Sequence, residues 1–166
     1  MDLVALCQWM QDTSWATSVR ESLNLYPALY TLHIFGFVIM VSATSALNLR
    51  LLGWSMRNRS VQSVAEIALP WFKWGLFANL ATGFVVFASQ AVAMYTNTAF
   101  RVKILLVLLV GVNILIFEAT SYKRVGDWGR NEVSPFSARM TAAISFLLWF
   151  GIVAMSRVIG FTGAHE

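Results

Sequence analysis

A chain of 166 residues in which 58 % are hydrophobic and 12 % charged carries about half the charge of a soluble domain, so lipid is its expected solvent. Its single cysteine, Cys7, excludes an intrachain disulfide, an iron–sulfur cluster and a CxxCH haem attachment. The net charge of +4 comes from basic residues in connectors between apolar runs, not from a basic stripe, which excludes a nucleic-acid partner.

At this length one membrane domain, residues 1–166, is expected. It opens with a 1–24 segment that lacks a basic n-region and a clear small-residue cleavage site, so it does not read as a cleaved signal peptide. Leu3, Leu6, Trp9 and Met10 recur with Asp2, Gln8 and Asp12 between them. That spacing suits a short amphipathic helix in the membrane interface, anchored by Trp9 and Trp15. A loosely ordered tail is the equally open alternative.

Four apolar runs follow, at about 25–49, 67–95, 102–122 and 140–161. A bilayer core of about 30 Å needs roughly 20 residues at a rise of about 1.5 Å each. Backbone groups find no water in lipid, so the runs should be helices. Short connectors predict antiparallel neighbours, hence an all-α, integral membrane four-helix up-down bundle. Arg50, Arg57, Arg59, Lys123, Arg124, Arg130 and Arg139 flank the first and third connectors, seven basic residues against Arg20, Arg101, Lys103 and Arg157 on the opposite side. The positive-inside rule then places both termini on the periplasmic side of a bacterial inner membrane.

His33 is the only histidine inside an apolar run, and an imidazole in hydrocarbon is costly unless it ligates, relays a proton or is paired. It lies about eight residues, or roughly 12 Å, below the outer end of the first span. Tyr26, Tyr30, Gly36, Phe37 and Met40 share its helical face. Gly36 leaves room there for a porphyrin plane, or equally for close packing of a neighbouring helix. The same outer layer receives Gln90, Met94, Lys103, Met155 and Arg157. A histidine, a thioether and two cations are what a haem b site needs, with Lys103 and Arg157 available to the propionates.

The inner layer holds Asn48, Arg50, Lys73 and Glu118, with Asn79 and Asn113 near mid-membrane. Lys73 and Glu118 are expected to form an ion pair that fixes helix register. Passage of protons or a cation by Glu118 and Asn113 is the alternative. Arg50 can snorkel to headgroups.

His33, Arg50 in ALNLRLLGW and Lys103 in FRVKILLVLLVGVN together resemble the pattern of HemJ-type protoporphyrinogen oxidases and related CopD-like membrane proteins. The YP…LH…G opening, the LRLLG exit of the first span and the aromatic–x–x–K start of the third are more closely similar, over most of the chain, to an uncharacterised family of small four-span bacterial membrane proteins. The resemblance implies His33 as axial haem ligand and Lys103 as the residue handling porphyrin carboxylates or protons. HemJ-type proteins usually carry a further histidine after the lysine span, where this chain has Asn113 and Glu118. Di-haem cytochromes b are excluded, since they need four intramembrane histidines. The sixth ligand stays open among Met94, Met155, His165 in the tail, a second copy's His33, or none.

GxSxG, HExxH, P-loop and dinucleotide motifs are absent. The expected function is therefore haem b-dependent electron transfer, or oxidation of a small lipophilic donor such as a quinol or porphyrinogen. Expected partners are the bilayer, a second copy or larger membrane complex, and a quinone or periplasmic redox protein. A cofactor-free accessory or anchor subunit is the second reading, and a small channel or metal-transport component the third.

Overall fold

The computed structural model describes residues 2–120 and 134–162, which form helices joined by short turns. The first helix, α1 (Leu3–Gln11), starts on Asp2, whose carboxylate accepts from the Val4 N–H, and α2 (Ser14–Glu21) follows at once. The four long helices are α3 (Leu25–Leu52), α4 (Val61–Ser89), α6 (Thr98–Thr120) and α7 (Phe136–Thr162), with a short α5 (Ala91–Thr96) after α4. All four are long and apolar enough to cross a membrane. His165 and the third connector's Lys123, Arg124 and Arg130 lie outside the described residues.

Helix boundaries follow local chemistry. α3 ends at Gly53, which takes the left-handed conformation (φ 73°), and its N–H and that of Trp54 return to the Arg50 and Leu49 carbonyls. α4 begins at residue 61 rather than 67, because Ser60 accepts from the Ser63 N–H and caps a first turn too polar to register as apolar.

The expected 67–95 span is corrected at its other end as well. Gln90 leaves helical geometry (φ −139°, ψ 39°), and α5 carries the chain onward. Arg20 donates to the Ser89 carbonyl at 3.2 Å and Gln11 accepts from the Val92 N–H at 3.0 Å. The N-terminal helices thus satisfy backbone groups that the break frees. Residues 3–21 thus hold the expected short helix as α1, followed by a second, α2, both docked on the rest of the protein instead of forming a loose tail. Cys7, Ala16 and Val19 are buried, and Trp15 stacks on Phe84 of α4 at 6.4 Å.

Among the long helices, α3 runs antiparallel to α4 and α7, as the pairs Gly36–Gly75, His33–Thr82, Asn48–Ser145 and Phe37–Trp149 require. α6 packs antiparallel on α7, through Asn113–Thr141 and Leu106–Gly151. The order in space is α4, α3, α7, α6. The Cα atoms of α4 and α6, consecutive spans, stay more than 8 Å apart, and Phe87 and Phe100 stack between the two helices at 5.4 Å.

The closest approach is at α3–α4. A Cβ on Gly75 would lie 2.9 Å from both the Gly36 carbonyl oxygen and the Met40 nitrogen, so backbone meets backbone. Lipid tails compete equally for apolar side chains, so this small-residue contact, not hydrophobicity, drives the pairing. Packing continues toward one end through Leu47, Leu51, Val61 and Ala138, and toward the other through Met40, Val110, Trp149 and Ile152.

Candidate functional site

His33 projects from α3 onto the surface of α4. Its Nδ1 lies 3.1 Å from the Asn79 carbonyl oxygen and 3.1 Å from Thr82 Oγ1. The Thr82 hydroxyl proton is committed to the Ala78 carbonyl at 2.6 Å. Both partners of Nδ1 therefore accept, which places the proton on Nδ1 and leaves the Nε2 lone pair for a ligand. In return the Asn79 side chain donates to the His33 carbonyl at 3.0 Å. The ring is seated over Gly83, where a Cβ would meet Cε1 at 2.9 Å and Nδ1 at 3.3 Å. Metal-bound histidines have this arrangement: one nitrogen donates to a carbonyl and orients the ring, while the other faces the metal.

Lys103 lies in the first turns of α6 and is half-buried. No hydrogen bond joins it to His33. The others are placed elsewhere. Gly36 faces α4, with the Gly75 oxygen 3.2 Å and the Asn79 nitrogen 3.1 Å from a notional Cβ, so the space read as room for a porphyrin plane holds a helix backbone. Phe37 meets Trp149 edge-on at 5.7 Å and belongs to the α3–α7 packing. Tyr30 is exposed and stacks on Tyr26 at 6.3 Å. Arg157 is exposed with its guanidinium over Phe161, and Met94 sits on α5 beyond the break at Gln90.

At the Arg50 end of α3, a cavity of about 270 Å³ lies between α4 and α6 and is floored by α3 and α7. Lys73 and Glu118 both line it and are exposed. The ion pair expected of them does not form: among the described residues no lysine or arginine comes within 4.0 Å of a carboxylate. Lys73 comes from α4 and Glu118 from α6, whose Cα atoms stay more than 8 Å apart. Arg50 does not snorkel; it is 1 % exposed and donates from Nε to the Arg59 carbonyl at 2.7 Å, folded under the first connector. Among the described residues no three His, Cys, Asp or Glu side chains cluster as a metal site.

Thr82 and Gly83, which hold the imidazole, and Ser145 in the cavity carry no signal in the sequence beyond the small-residue content common to membrane helices. The one available cue is register. Asn79, Thr82 and Gly83 fall three and four residues apart, on one face of α4.

The chain belongs to a family of unknown function, DUF6644, whose sequence pattern matches residues 12–162. No curated protein and no solved structure matches it.

Proposed function

We propose that this member of the family is a multi-pass inner-membrane protein that binds one haem b through Nε2 of His33 and serves electron transfer or the oxidation of a small lipophilic donor. The four long helices lie across the bilayer up and down, both termini periplasmic. α1 rests in the interface on the apolar surface that Leu3, Leu6 and Trp9 expose. The observation that carries the reading is the pair of acceptors on Nδ1, because a histidine buried only for packing has no need of a fixed tautomer with its second nitrogen unengaged. The reading also takes up the expected resemblance of the His33–Arg50–Lys103 pattern to HemJ-type oxidases.

Three features of the described residues suit an axial histidine. Gly83 gives the imidazole its seat, Thr82 and Asn79 set its orientation, and Lys103 on α6 is the cation proposed for a propionate. When bound, haem b supplies a one-electron iron couple whose potential depends on its axial ligands and burial. The protein's own part is to hold Nε2 unprotonated and aimed.

A haem titration of the detergent-purified apoprotein tests this. Wild type should saturate at one haem per chain, and His33→Ala should bind at least about 30-fold more weakly, in line with loss of an axial ligand. Equal affinity in the two proteins would remove His33 from the site.

A further inference from the structure

The cavity between α4 and α6 makes two demands on a guest. Leu47, Phe72, Leu76 and Ile114 present hydrocarbon, which a water cluster or a bare cation leaves uncovered. Against them stand two polar rungs on α7. Asn48 donates to Ser145 Oγ at 2.8 Å, and Asn113 donates to the Thr141 carbonyl at 3.1 Å. Both asparagines are more than nine-tenths buried, at 7 % and 8 % exposure, and Ser145 is at 5 %. An amide offers two N–H donors and a carbonyl acceptor, so each asparagine keeps one N–H and its oxygen, and Ser145 keeps its hydroxyl proton. A lipid tail meets none of these groups. Four residues beyond Ser145, the buried indole N–H of Trp149 is also unpartnered.

The rungs are four residues apart on α7, about 6 Å at helical rise. A six-membered ring with oxygens in para positions spans that separation and has apolar faces for the walls. Its oxygens accept from Asn113 and Ser145 as a quinone, and its hydroxyls donate to the asparagine oxygens as a quinol. A volume of about 270 Å³ is just under the range of roughly 300–1,000 Å³ of drug-sized pockets, enough for a ring-sized head but not for a tetrapyrrole. Away from the Phe87–Phe100 stack, the Cα atoms of α4 and α6 stay beyond 8 Å, so an isoprenoid tail would leave between side chains of these two helices, not through a backbone contact.

We propose that this cavity, with Asn48, Asn113 and Ser145 as its hydrogen-bonding groups, is the binding site of a quinone-class ligand. The inference identifies the lipophilic donor of the proposed function and to that extent rests on it, but the binding itself needs no haem. It is tested by equilibrium binding of a short-tailed 1,4-naphthoquinone to the full-length protein in detergent. Wild type should bind it saturably, one per chain. Asn113→Leu should weaken binding at least about tenfold, and the milder Ser145→Ala about fivefold, the usual effect of one hydrogen bond. Helicity and monodispersity of each variant are checked alongside. His33→Ala should bind the probe like wild type, so failure of the haem reading leaves this result standing. The proposal is overturned by non-saturable partition equal in all proteins, by unchanged affinity in folded Ser145→Ala and Asn113→Leu, or by full displacement with a straight-chain fatty alcohol.

Discussion

At Gly83 a single methyl group reaches the imidazole, since its carbon would lie 2.9 Å from Cε1 of His33. Alanine is the better helix former by about 1 kcal/mol, so Gly83→Ala should leave the fold intact while pushing the ring off its seat. We expect haem affinity, read by titration, to fall about tenfold in that variant, with thermal stability unchanged or raised. Thr82→Val keeps the volume and removes one acceptor from Nδ1 while Asn79 retains the other. A loss of about two- to fivefold is expected there, below the 10–100-fold typical of a sole orienting partner. His33 was legible from sequence because a titratable ring stands out in an apolar run, and Lys103 for the same reason. Thr82 and Gly83 were not, because small residues in a membrane helix look alike whether they seat a ligand or a neighbour. At Gly36 spacing left a cofactor and a close helix crossing equally open, and the side that faces α4 serves the crossing.

The elements divide similarly. Hydropathy located all four long helices, since length and apolarity decide what can span a bilayer. It ran α4 and α5 together, because the break at Gln90 is held by Gln11 and Arg20, some seventy residues or more away in sequence, and leaves no local proline or glycine signature. Arg20→Leu should therefore free the Ser89 carbonyl, destabilise the N-terminal helices by about 1–3 kcal/mol and speed proteolysis within residues 1–24, measured by limited digestion in detergent. At the crossing, Gly75→Leu inserts a side chain against backbone atoms of α3 that cannot yield. Loss of several kcal/mol is expected, seen as aggregation or a sharply lowered melting temperature, whereas Gly111→Leu, with nothing within 4 Å of its notional Cβ, should be tolerated.

For the whole molecule, the consequential feature is that α4 and α6 meet through the Phe87–Phe100 stack without a close backbone contact. Short connectors predicted consecutive spans as neighbours, and α3–α4 and α6–α7 obey. The Asn48–Ser145 bond and the Phe37–Trp149 contact join α3 to α7 instead, and the cavity lies between the remaining pair. Pairwise side-chain fit of this kind is not readable from hydropathy. The orientation proposed for the bilayer is open to single-cysteine labelling in a Cys7→Ser background. Leu23→Cys, at 91 % exposure in the wild-type side chain, should react with an impermeant maleimide on intact spheroplasts, and Asn58→Cys in the first connector only after permeabilisation. The reverse pattern would invert the topology. The most direct test of the account is the dithionite-reduced minus air-oxidised spectrum of the protein extracted from its own membranes, beside His33→Ala expressed at the same level. A b-type α-band in wild type that is missing from His33→Ala is the predicted result. A wild-type protein without that band, or a band that survives the substitution, would contradict it.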